Sequence, residues 1–183
     1  MKKYILLCLF ALCNIYGSIA QNNDWFEIKD KDAAYLIDFP SEPEKGENDV
    51  QTDKGTVKMN TYTLQTSDDV NMIYMSSFTK YPESFFEDGL VSEESQNTVL
   101  DNSVNGAVTN TEGELILDKK ITFNGYKGRV IKIKLSGGYI IYMKVLLVDI
   151  RLYLAQVIYE EKDDGNENAK RFFESLELIN VKK

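Results

Sequence analysis

Ser77-Phe78-Thr79-Lys80 places a serine three residues before a lysine, the spacing with which penicillin-recognising enzymes activate a serine nucleophile. That chemistry needs a helix, on which residues three apart meet. Here the tetrad falls in a run of strand formers, where residues three apart leave opposite faces. The companion Ser-Asp-Asn and Lys-Thr-Gly motifs are absent. Asp163-Asp164-Gly165-Asn166-Glu167-Asn168 offers hard oxygen ligands of the kind calcium takes. With Gly165 at the glycine position of an EF-hand loop, the first and twelfth ligands would be Glu160 and Arg171, and arginine cannot ligate. A loop entering a helix N-terminus describes the segment better. Two carboxylates at a set distance would suffice for glycoside hydrolysis, but 29 acids and no motif single out no pair. Gly-x-Ser-x-Gly, a phosphate-binding glycine loop and a dinucleotide fingerprint are all missing. The sequence therefore assigns no catalytic residue, no metal ligand and no cofactor, and it favours a protein without enzymatic activity.

Aromatic residues offer recognition chemistry instead. Tyr139, Tyr142, Tyr153 and Tyr159 lie in apolar runs and read as core or cross-strand packing. Tyr81, Phe85 and Phe86 differ: they follow a strand, flank Pro82 and stand beside acids. These three form the candidate partner surface, against the plainer alternative of a helical turn tucked onto the sheet.

The N-terminus addresses the chain. Lys2 and Lys3 precede an apolar stretch from Ile5 to Ala11, and Ser18-Ile19-Ala20 ends it with small residues. That is the layout of a secretory signal over residues 1–20, cleaved between Ala20 and Gln21. Cys8 and Cys13 follow leucines, so neither is an acylation site, and both leave with the leader. The exported part, 21–183, then holds no cysteine or histidine, the side chains behind most neutral-pH bases, thiol nucleophiles and transition-metal sites. Losing Lys2 and Lys3 turns 21 bases against 29 acids into 19 against 29, a net charge of −10. Such a surface repels nucleic acid and anionic lipid. No membrane span is expected after signal removal, and the remainder has the size of a single domain.

That domain reads mostly as strands. Ala33–Phe39 is stopped by Pro40. Val50–Leu64 reads as a hairpin about Asp53-Lys54-Gly55, and Val70–Thr79 as a further strand. Ser92 is a plausible N-cap for a polar helix with Glu93 and Glu94 in its first turn, Val99, Leu100 and Val104 on one face, and Gly106 as its C-cap. From Gly113 to Tyr159 the spacing predicts a four-strand antiparallel meander, turning at Asn124-Gly125, at Gly137-Gly138 and weakly at Asp149-Ile150. Tyr139–Val148 is apolar on both alternating sets, so cover is expected on both faces. A helix placing Ala169, Phe172 and Phe173 inward supplies one cover, and Leu176–Ile179 resumes extended structure.

Four landmarks, in order along the chain, resemble the PsbP-like superfamily. They are Trp25-Phe26 leading to Tyr35-Leu36-Ile37-Asp38-Phe39-Pro40, the helix from Val99 to Gly106, Gly125-Tyr126-Lys127-Gly128-Arg129, and Arg171-Phe172-Phe173-Glu174-Ser175-Leu176. That superfamily groups the extrinsic P subunit of photosystem II, a nuclear Ran-binding factor and many small exported bacterial proteins. The resemblance implies an α+β fold with a central antiparallel sheet flanked by helices on both faces, an α/β/α sandwich. It also implies action by binding proteins or stabilising assemblies, without catalysis. Some relatives bind metal through histidine and cysteine, which the exported chain lacks. The reading is thus a non-catalytic protein-binding or assembly module, periplasmic or secreted, with an envelope or extracellular protein partner. A carboxylate-dependent hydrolase and a carrier with an apolar cavity lined by Met143, Val145 and Phe172 are the alternatives.

Overall fold

The computed structural model describes residues 25–179 apart from 53 and 88. The signal, with Ala20 and Gln21, lies outside them, as does Asp53 of the predicted turn. Ten strands and two α-helices follow in order. β1 (Phe26–Asp30) and β2 (Tyr35–Phe39) come first, then β3 (Glu44–Thr52), β4 (Gly55–Gln65) and β5 (Asn71–Lys80). The helix α1 (Glu93–Thr111) leads to β6 (Glu114–Phe123), β7 (Tyr126–Leu135), β8 (Tyr139–Val148) and β9 (Arg151–Glu160), and the chain closes with α2 (Glu167–Glu174) and β10 (Glu177–Leu178).

Seven strands form one antiparallel sheet in the order β3-β4-β5-β9-β8-β7-β6, and β1-β2-β10 form a second, small one. The predicted meander β6 to β9 is present, and β5 joins it on β9. The weak turn closes as a tight hairpin: Val148 pairs with Arg151, and Asp149 rather than the β-branched Ile150 takes the left-handed conformation (φ 52°).

The α/β/α sandwich is overturned. The fold is mostly β, two sheets with two helices among the described residues, and the large sheet is not flanked by helical layers. On one face the cover is chiefly the small sheet, aided by α2: Tyr35, Ile37 and Phe39 of β2 and Phe172 and Phe173 of α2 pack on Tyr74, Leu146, Val148, Tyr153 and Tyr159. On the other face α1 lies over β7 and β8, where Leu100 and Val104 meet Ile131, Ile133, Ile141, Met143, Val145 and Leu147. Size is the reason. An eight-residue helix is about 12 Å long, whereas seven strands span about 29 Å. A single α2 cannot form a layer, and short strands complete the cover.

Local rules hold at the helix entries. Ser92 Oγ accepts from Ser95 N–H at 3.1 Å, and Asn166 Oδ1 from Ala169 N–H at 2.8 Å. Gly106 is not the C-cap. It lies inside α1, which runs on to Glu112 at φ 50°. A single interior glycine costs a helix only about 1 kcal/mol, too little to end it.

Candidate functional site

β4, β5 and β9 carry the functional candidate. Pairing aligns Gln65 with Ile73 and Ile158, Thr63 with Met75 and Gln156, Thr61 with Ser77 and Leu154, and Met59 with Thr79 and Leu152. The same rows continue through Ile141, Met143, Val145 and Leu147 of β8, which α1 covers. Past β8 the helix no longer covers the sheet fully. Met59, Thr63, Ile73, Met75, Leu152, Leu154, Gln156 and Ile158 stay half-exposed. Twelve residues on three strands present no charge, in a chain with 29 acids. Depletion of charge with methionine present is a compositional mark of interface centres. Ala107 and Val108 of α1 form one flank: they and Leu154 and Ile158 pack against the same cluster of Val104, Ile131, Ile133, Ile141 and Met143.

The residues singled out from sequence wall the end of this face. Tyr81 N–H donates to Ile150 C=O at 2.9 Å, so the chain leaves β5 still tied to the sheet. The Tyr81 and Phe86 rings meet edge to face at 5.8 Å, and Phe86 packs on the cluster of Leu90, Leu100, Val145 and Leu147, beside Leu152 and Leu154. Lys54 donates to Phe85 C=O and stands 5.7 Å from the Phe86 ring centre. Gly55 is in contact with the Phe85 ring: a Cβ there would lie 3.3 Å from it. All three aromatics are half-buried, and burial pushes the Tyr81 hydroxyl pKa up. Gly89 (φ 64°) and Leu90 (φ 60°) then turn the chain sharply, which plugs Leu90 into the core beneath. The sequence singled out these aromatics and not the charge-free rows beside them. The signal was available, since one alternating set of β5 (Ile73, Met75, Ser77, Thr79) and one of β9 (Leu152, Leu154, Gln156, Ile158) lack charge.

The other candidates are structural. Ser77 is buried on the uncharged face, whereas Lys80 is exposed and belongs to the opposite alternation. In the 163–168 loop, Asp164 accepts from Lys132 Nζ at 2.6 Å and from Tyr159 O–H at 2.7 Å, Asn166 caps α2, and Asn168 donates to Asp69 at 2.8 Å. Burial works against the charged Asp164, but the bonds from Lys132 and Tyr159 outweigh it and hold the carboxyl below the usual range. Surface clefts lie away from this face. One, of about 390 Å³, lies between Leu90, Val91, Gln96, Tyr126, Lys127 and Asp149, and there Lys127 Nζ is 2.6 Å from Glu93 Oε1. The second, about 570 Å³, gathers Asp68, Asp69, Glu160 and Asp163 with no aromatic wall. Asp69 is committed to Asn71, Tyr74 and Asn168, and Glu160 to Lys162. Met143 and Val145 lie under α1 and Phe172 on the opposite side of the sheet, so the three line no common cavity. Among the described residues, no group of three or more histidines, cysteines or acids is placed to hold a metal. No described helix is long and apolar enough to cross a membrane.

Comparison with solved structures agrees with the expected fold family. No protein-family model and no curated protein matches the chain. Among solved structures, the solution structure of cyanobacterial PsbP (CyanoP) from Synechocystis sp. PCC 6803 is similar with a TM-score of 0.51 and 13% identity, over 84% of this chain and 92% of that one. A Pseudomonas aeruginosa protein of unknown function, PA94, matches at a TM-score of 0.36 and 9% identity, over 64% of this chain and 85% of its own. The chain has the PsbP-like fold. The expected likeness to PsbP stands, while the expected α+β sandwich gives way to the mostly β, two-sheet arrangement above.

Proposed function

We propose that this chain is an exported, non-catalytic binding or assembly module that docks a protein partner on the uncharged face of β4, β5 and β9. One observation carries the reading: twelve adjoining uncharged positions on a half-exposed sheet face of a strongly acidic chain. Leaving Ile73, Met75, Leu154 and Ile158 half-wet forgoes stabilisation of about 25 cal/mol for every Å² of apolar surface left uncovered. A partner with a complementary apolar, uncharged face recovers that energy, and acidic surroundings discourage random contacts. Tyr81, Phe85 and Phe86 bound the face at one end and supply its aromatic rim. The N-terminal pattern supports export with cleavage between Ala20 and Gln21, leaving 21–183 as a single domain that meets an envelope or extracellular protein.

The test is site-specific photo-crosslinking in producing cells. A photoreactive residue replacing Met75 is expected to trap one protein reproducibly, and Leu154→Glu in the same chain is expected to abolish the trapping. A photoreactive residue replacing Asn48, on the edge strand β3, serves as control. Equal trapping from both positions, or trapping that survives Leu154→Glu, contradicts the reading. Intact mass of the exported chain, beginning at Gln21, checks the leader.

A further inference from the structure

The two edges of the large sheet are unlike each other. β3 is guarded along its length by Glu44, Lys45, Glu47 and Asp49, with Lys58 of β4 bridging Glu47 at 2.7 Å and Asp49 at 3.2 Å. That is the usual protection of an open edge against pairing with another chain. β6, the opposite edge, has no neighbour beyond it among the described residues. It carries Leu115, Ile116 and Leu117 in succession, 38, 47 and 38% exposed. Single exposed aliphatics are ordinary, but three in a row on an unpaired strand are not.

We infer that β6 pairs antiparallel with β6 of a second copy of this chain about a two-fold axis at Leu117. The bulge carries the argument. Leu115 pairs with Ile133 and Leu117 with Lys132, so Leu115 and Ile116 share one rung of the ladder. Counting rungs rather than residues, Glu114 and Lys119 stand two rungs either side of Leu117. Their β7 partners, Lys134, Lys132 and Val130, alternate in register, so Glu114, Leu117 and Lys119 share a face. A two-fold at Leu117 therefore sets Leu117 against its own counterpart and Glu114 of each copy opposite Lys119 of the other. On the other face Leu115 and Ile116 meet Asp118, whose charge is already taken by Arg129 at 3.0 Å. Without the bulge, Glu114 and Lys119 would lie on opposite faces and the edge would not be self-complementary. Lys119 thus serves a purpose other than keeping strands away, and the contact is isologous and closes at two copies.

Sedimentation of the exported chain, residues 21–183, from micromolar to millimolar concentration tests this. A reversible monomer–dimer equilibrium is expected, with slower amide exchange in β6 as the dimer fills. Leu117→Lys, Glu114→Lys and Lys119→Glu are each expected to weaken dimerisation at least about tenfold. An equimolar mixture of Glu114→Lys chains with Lys119→Glu chains is expected to restore it, because both ion pairs re-form across the two-fold. A chain that stays monomeric at millimolar concentration overturns the inference. So does a dimer indifferent to all three substitutions, or a mixture no tighter than its components. All three positions are exposed, and an unchanged melting midpoint certifies each variant as folded.

Discussion

Asn71 and Asn166 face each other amide to amide, each Nδ2 donating to the other's Oδ1 at 2.9 Å, across 95 residues of chain. Asn71 is fully buried at the start of β5, and the same Asn166 oxygen caps α2. This pair seats α2, with Phe172 and Phe173, on the sheet. Asn71 Nδ2 also reaches Tyr74 Oη at 2.7 Å, and Tyr74 donates to Asp69 at 2.9 Å, so the pair belongs to a larger buried network. Losing one member leaves the other amide unsatisfied. Asn71→Ala is expected to cost about 2–3 kcal/mol in urea denaturation. Asn168→Ala, which removes an exposed bond to Asp69, is expected to change stability by less than about 0.5 kcal/mol.

Three glycines separate three physical roles. At Gly128 a Cβ would stand 2.5 Å from Val145 O and 2.8 Å from Leu146 Cδ2, so β7 meets β8 there only without a side chain. Gly128→Ala is expected to destabilise by about 1–3 kcal/mol through overpacking. Gly125 has open space but φ 88°, and Gly125→Ala is expected to cost about 1 kcal/mol in backbone strain. Gly106 is helical with open space, so Gly106→Ala is expected to stabilise by about 0.5–1 kcal/mol. Thermal melts of the three variants report the order.

Arg129 joins α1 to the sheet. Its side chain is 7% exposed and binds both oxygens of Asp118 at 3.0 Å while donating to Asp101 of α1. The two carboxylates keep partial contact with water, which lowers the penalty for stranding them. Arg129→Ala is expected to cost about 3 kcal/mol, the low end for a broken buried pair. In a double-mutant cycle with Asp101→Ala the losses should fall short of additive. Additive losses would mean that the two side chains act separately.

Asp30 makes stability depend on pH. Burial disfavours its charge, but bonds from Ala33 N–H at 2.9 Å, Tyr62 O–H at 2.9 Å and Asp32 N–H at 3.1 Å prevail and hold its pKa below the ordinary carboxylate value. A carboxyl depressed in the folded state contributes stability above its unfolded pKa and loses it as pH falls through the folded one. Melting midpoints taken from pH 7 down to pH 3 should therefore drop on the acid side. Asp30→Asn should lower the midpoint at pH 7 and flatten that part of the curve. An unchanged acid limb in the variant would assign the drop to other carboxylates.

The strand order of the meander was legible because its signals are local. Asn124-Gly125 and Gly137-Gly138 fix turns, and the alternation along Tyr139–Val148 reports cover on both faces. For β8 that inference is right, since Ile140 and Leu146 pack beneath the small sheet and α2 while Ile141 and Met143 pack beneath α1. The sandwich implied by the resemblance fails because cover on both faces of one strand does not require helices: a small sheet covers one face and α1 the other. The small sheet escaped notice because its strands have five, five and two residues, and β10 pairs with β2 across most of the chain. β3 begins earlier than the expected hairpin arm at Val50: its first half is charged, so only pairing with β4 identifies Glu44 to Asp49 as strand. Tyr81, Phe85 and Phe86 stand out in the sequence through Pro82 and the neighbouring acids, and they pack at the end of the charge-free rows. The charge-free alternation of β5 and of β9 is readable in each segment, but that these sets join β4 in one face is a fact of topology.

Methionine methyl NMR probes the docking face most directly. Met59 and Met75 lie on that face, Met72 alternates to the other side of β5, and Met143 is buried under α1. In the complex with the crosslinked partner, the Met59 and Met75 methyl resonances are expected to shift while those of Met72 and Met143 hold. Resonances of Met59 and Met75 that stay in place in that complex, or a shift confined to Met72, would contradict docking on the uncharged face.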